Sequence, residues 1–139
     1  MKRYISIMVF LGVAVIGCCL TGCTTVKIWP RSSEAKIREK VLKYTPLGAS
    51  TEQVMTFIQT QLWHRYKGTA KIEKFGALKR NFNGPDQIIG VMSIEGVDVG
   101  RHATIFWPVP LITYVYLSWA FDEDGRLIDV IVHKEIDSV

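Results

Sequence analysis

The sequence predicts an α+β domain, two N-terminal helices packed on a three- to four-stranded antiparallel meander sheet. Three observations predict it. Apolar residues recur at helical spacing between Ile37 and Leu62. From residue 88 onward the chain changes to runs rich in branched and aromatic residues. Gly, Pro and Asp clusters punctuate those runs. A chain of 139 residues is the size of one domain.

The first segment stands apart from that domain. Met1-Lys2-Arg3 gives a positive start, and an apolar run from Tyr4 to Leu20 follows. Small residues close it at Thr21 and Gly22. This is the layout of a secretory signal peptide over residues 1–22. The run falls slightly short of the roughly 20 apolar residues that a membrane-spanning helix usually needs. All three cysteines, Cys18, Cys19 and Cys23, lie in or just after it.

Leu20-Thr21-Gly22-Cys23 resembles the bacterial lipobox. The resemblance implies cleavage after Gly22 and lipid attachment at Cys23, which becomes the acylated N-terminus. Val15-Ile16-Gly17-Cys18 is a looser match, which would make Cys18 an alternative attachment site. A diacyl or triacyl cysteine anchors firmly, because each buried CH₂ contributes about 0.8 kcal/mol. Thr24, rather than Asp, follows the cysteine. The sorting rule that accompanies the lipobox then implies the periplasmic side of the outer membrane. Loss of Lys2 and Arg3 leaves fifteen basic against thirteen acidic residues, a net charge of +2. That is too mild for a nucleic-acid partner.

Residues 23–31 read as a lipidated tether and residues 32–139 as the domain. Trp29 suits either a membrane interface or packing against the domain. The first helix is expected over 33–43, capped by Ser32 or Ser33, with Ile37, Val41 and Leu42 on its apolar stripe. Pro46 and Gly48 break it. The second is expected over 50–66. Ser50 and Gln53 form a capping-box pattern, and Val54, Phe57, Ile58 and Leu62 form the buried face.

Residues 69–75 suit a short strand, and Asn81 to Asp86 a turn. Strands are then expected over 88–95, 101–107, 112–121 and 126–134, with 95–100 as a loop. Pro108 and Pro110 interrupt the second of these strands. Asp122-Glu123-Asp124-Gly125 reads as a hairpin turn, since its carboxylates are too close together for a calcium loop. Period-two alternation puts Thr113, Val115, Leu117, Trp119 and Phe121 on the helix-covered face, facing Ile128, Val130 and Val132. Ile112, Tyr114, Tyr116, Ser118 and Ala120 share the opposite face with Leu127, Asp129, Ile131 and His133.

No catalytic constellation is evident. His64, His102 and His133 are scattered, and no HExxH, GxSxG or phosphate-binding glycine loop occurs. No enzyme activity, metal or cofactor is expected. The Tyr114 and Tyr116 face and Trp107 are the candidate partner surface, because aromatic side chains combine contact area with a polar tip. Self-association is the other use of such a surface.

The lipobox, "YTPLGASTEQVMTFI" and the closing "VYLSWAFDEDGRLIDVIVHK" together resemble the SmpA/OmlA or BamE-like lipoproteins. The resemblance covers roughly residues 45 to 134. It implies a helix pair on a three-stranded sheet and a non-catalytic adaptor of envelope proteins. Similar modules inhibit extracellular enzymes, which implies an alternative role as an inhibitor or immunity module. The long 68–87 connection and the "WPVP" loop depart from that pattern.

Overall fold

The computed structural model describes residues 26–62, 70–81, 84–106 and 109–138. The signal segment, Cys18, Cys23 and Trp107 lie outside them. The architecture is α+β, with two helices, a four-stranded antiparallel sheet and a separate two-stranded sheet. The helices occupy the middle of the chain, between 34 and 62, and there are more strands than a simple meander needs.

Helix α1 spans Glu34–Leu42 and is capped by the Ser33 hydroxyl, which accepts from the Lys36 amide. Ile37 and Val41 are its buried stripe. Helix α2 spans Thr51–Phe57 and opens on a complete capping box between Ser50 and Gln53. It continues as a π-helical segment, Ile58–Leu62. Residues 63–66, expected to continue that helix, lie outside the described residues.

The large sheet has the order β1-β4-β5-β6: Ile72–Glu73, Met92–Phe106, Val109–Phe121 and Leu127–Ser138. Strands β2 (Ala77–Lys79) and β3 (Gln87–Ile89) pair only with each other. The expected strand over 88–95 is therefore two strands. Gly90, at φ +76°, turns the chain between them.

The expected loop at 95–100 is strand. β4 absorbs an extra residue between Ile94 and Val97 and another between Asp98 and Gly100. Gly96 and Gly100 carry the positive φ angles there. They are bulge glycines, which bend a strand without ending it. β5 likewise begins at Val109 and contains Pro110.

The core lies between the helices and one sheet face. Val115, Leu117, Trp119 and Phe121 are buried against Val54, Phe57 and Ile58, as the alternation predicted. The Trp119 Nε1–H donates to Thr45 Oγ1 at 3.2 Å, and the Thr45 hydroxyl donates to the Val41 carbonyl. Burial of that indole thus leaves no orphan donor.

The matching face of β6 differs from the expectation at its start. Ala120 pairs with Asp129 but Phe121 with Leu127. Ile128 is the extra residue of this bulge and turns outward, 40% exposed, while Leu127 is buried. Val130 and Val132 are buried as expected. Val26 and Ile28, within the segment read as a tether, are core residues packed with the same cluster.

Candidate functional site

The opposite face of the large sheet falls into two halves. On one, the β2–β3 hairpin lies across the sheet, and Ala77 and Ile89 pack on Ala120 and Ile131. Two glycines permit this close approach. A Cβ on Gly76 would meet the Gly90 carbonyl oxygen at 2.3 Å, and one on Gly90 the Phe121 carbonyl oxygen at 2.4 Å. Ser93 is buried on this half, and its hydroxyl has no partner among the described residues.

The other half carries Tyr114 and Tyr116. They are two apart on β5 and share a face, with ring centroids 6.4 Å apart and planes at 18°. Arg101 and Glu135 flank Tyr114 across the strands, and Asp98 and His133 flank Tyr116. Both tyrosines are half-buried.

A cleft of about 360 Å³ opens where the hairpin meets this half. Leu78, Arg80, Glu95, Tyr116, His133 and Glu135 line it. Arg80 Nη1 lies 3.6 Å from Glu135 Oε1, and Glu95 accepts from the Leu78 amide at 3.1 Å. Burial, reinforced by the carboxylates of Asp98 and Glu135 and by Tyr114, pushes the Tyr116 phenol above its ordinary value. The phenol therefore stays protonated and can donate a hydrogen bond. The result is an aromatic shelf rimmed by charges of both signs.

No known protein-family model matches the chain. Nor does any curated protein or solved structure match it.

The sequence-predicted site residues fare differently. Tyr114 and Tyr116 are brought together on an open surface. Leu20, Thr21, Gly22, Cys23 and Trp107 lie outside the described residues. His102 and His133 sit on opposite faces, paired in register with Thr113 and Tyr116. Among the described residues no group of three or more His, Cys, Asp or Glu could hold a metal. Asp122 is occupied with the turn, its carboxylate accepting from the Asp124 and Arg126 amides. None of the described helices is long and apolar enough to cross a membrane.

The cleft residues Arg80, Glu95 and Glu135 were not foreseen from the sequence. The turn signal at Asn81 to Asp86 was visible, but nothing local announces that the short strands flanking it fold back over β5.

Proposed function

We propose that this chain is a lipid-anchored envelope lipoprotein that acts as a non-catalytic adaptor, binding a protein partner through its Tyr114–Tyr116 face. The observation that carries the reading is the asymmetry of that sheet face. One half is covered by the chain's own hairpin, with Ala77 and Ile89 filling the space above Ala120 and Ile131. The adjoining half has a stacked tyrosine pair, but no covering segment among the described residues. A partner segment is the natural counterpart of the hairpin. The lipobox at Leu20 to Cys23 and the order of helix pair before sheet, which resembles the SmpA/OmlA lipoproteins, support the envelope setting.

Two measurements test it. The intact mass of protein extracted from membranes is expected to show a chain starting at Cys23 and heavier by a diacyl or triacyl group. An unmodified full-length mass removes the anchor. Tyr114→Glu combined with Tyr116→Glu is expected to abolish cross-linking to an envelope protein on intact cells. Unchanged cross-links and an unchanged oligomeric state would remove the surface.

A second reading has one structural observation in its favour. Between Arg101 and Ile112 no residue of the β4–β5 hairpin whose side chain is described is buried, so the hairpin projects beyond the core. A projecting hairpin suits an inhibitor or immunity module that plugs an extracytoplasmic enzyme. Inhibition of a candidate hydrolase by the purified protein would support this reading over the adaptor.

A further inference from the structure

A second cleft lies on the other side of the sheet, where the N-terminal segment meets β4. It measures about 320 Å³ and is lined by Lys27, Ile28, Trp29, Pro30, Arg31, Arg101 and His102. Three permanent cations and an imidazole share this wall, and no carboxylate lines it. Three other clefts among the described residues mix both signs.

The backbone explains the convergence. Val26 and Ile28 are buried, so Lys27 and Trp29, which alternate with them, face outward. The Trp29 carbonyl accepts from the Ser32 amide in the turn before α1. That turn brings Arg31 to the strand carrying Arg101 and His102. Lys27 rests over the Trp29 ring, with Nζ 4.2 Å from its centroid. Lys134 donates to the Ser32 carbonyl at 2.6 Å and adds a further positive charge behind His102.

Two features set this cleft apart from a solvated basic face. Lys27 and Arg31 are exposed, and neither makes an ion pair among the described residues. His102 Nδ1 is buried and has no hydrogen-bond partner there either. A buried polar atom without a partner is costly unless something supplies one. The Arg31 guanidinium, the Lys27 ammonium and an imidazole nitrogen around one concavity match the acceptor oxygens of a tetrahedral oxyanion.

We propose that this cleft binds the phosphate group of a ligand, carried by a free phosphate species or by a phospholipid headgroup. Arg31 holds the oxygens, Lys27 adds charge at the rim, and His102 meets the anion from below. The assignment rests on the cleft alone and needs no lipid anchor, so its fate is separate from that of the adaptor reading. Burial, with the charges of Lys134 and Arg31, holds the His102 imidazole below its ordinary value. A bound anion opposes those causes, so His102 reports occupancy.

The test follows the His102 ring signals by NMR in the protein as isolated, held in neutral detergent at fixed ionic strength. The two probes are inorganic phosphate and a short-chain, monomeric phosphatidic acid. Saturable displacement of the His102 signals, with its titration moving to higher pH, supports the proposal. Lys27→Gln combined with Arg31→Gln is expected to weaken binding by at least about tenfold, since each charged hydrogen bond contributes about 1.5–3 kcal/mol. Both side chains are exposed, and an unchanged thermal unfolding curve verifies that the variant folds. Comparable response to both probes assigns the site to phosphate as such, and response to the lipid alone assigns it to a headgroup. Indifference to both, or an equal response in the double variant, overturns the assignment.

Discussion

At the scale of single residues, the glycines separate two kinds of constraint. Gly90 has φ +76°, and a Cβ there would lie 2.4 Å from the Phe121 carbonyl oxygen. Gly125 has nearly the same φ, +70°, but nothing within 3.8 Å of the Cβ position. Alanine at 125 therefore meets only the left-handed backbone penalty, about 1–2 kcal/mol. Alanine at 90 meets that penalty and a backbone clash, and is expected to cost more than about 3 kcal/mol. Denaturant unfolding of the two variants checks this; equal losses would mean the clash relaxes freely. His102 makes a different kind of prediction. Its imidazole is held below the ordinary value by burial and by Lys134 and Arg31, and Lys27 and Arg101 line the same cleft. A group with a lowered folded-state value leaves the unfolded chain binding more protons between the two values. This contribution is therefore whole above about pH 6.5 and is lost as the pH falls below it. His102→Gln is expected to flatten the fall in melting temperature across that window. An identical pH profile in the variant would sink the claim.

At the scale of elements, the β2–β3 hairpin is a separate unit resting on the main fold. Its contact cluster, Ala77 and Ile89 with Ala120 and Ile131, does not merge with the larger core. Phe75 and Ile88, 77% and 72% exposed, show how little apolar surface it buries. Ala77→Glu puts a charge in a fully buried position and is expected to undock the hairpin alone. Amide exchange should then accelerate at 77–79 and 87–89 and stay slow in β5 and β6. Loss of protection throughout, or no loss, would contradict independent docking. This hairpin also marks where the sequence stopped being legible. The helices and β5 were readable because each carries its own period, as in Val54, Phe57 and Ile58, or Val115, Leu117 and Trp119. Strands of three residues have no period to read, and their docking partner is some forty residues away. The bulges were hidden for a related reason. Gly96 and Gly100 signal a local bend, but only the pairing with β5 decides whether a bend ends a strand. Ile128 and Leu127 exchanged faces through the same effect, since one extra residue inverts everything before it. Of the candidate site, the tyrosine pair was legible from alternation, whereas the ring of Arg80, Glu95 and Glu135 exists only after folding.

At the scale of the whole molecule, the point where the core begins decides how the domain would stand relative to the lipid proposed at Cys23. Val26 and Ile28 are buried in the main cluster. Only Thr24 and Thr25 separate Val26 from Cys23. Three residue steps reach at most about 11 Å when fully extended. A lipid on Cys23 would thus hold the folded domain against the headgroups. The tyrosine face would have a restricted set of orientations, and a membrane partner would meet it at high effective concentration. Inserting a flexible Gly-Ser segment between Thr25 and Val26 changes that reach without touching a core residue. The insertion is expected to leave the melting temperature and the acylated mass unchanged. Cross-linking of the Tyr114–Tyr116 face to a membrane-embedded partner should fall, because effective concentration drops steeply once a linker exceeds the span it must cover. Undiminished cross-linking would mean that the partner comes to the domain from solution and that the short connection has no bearing on recognition. A lowered melting temperature would mean instead that Thr24 and Thr25 contribute to the fold, and that the ordered domain starts before Val26.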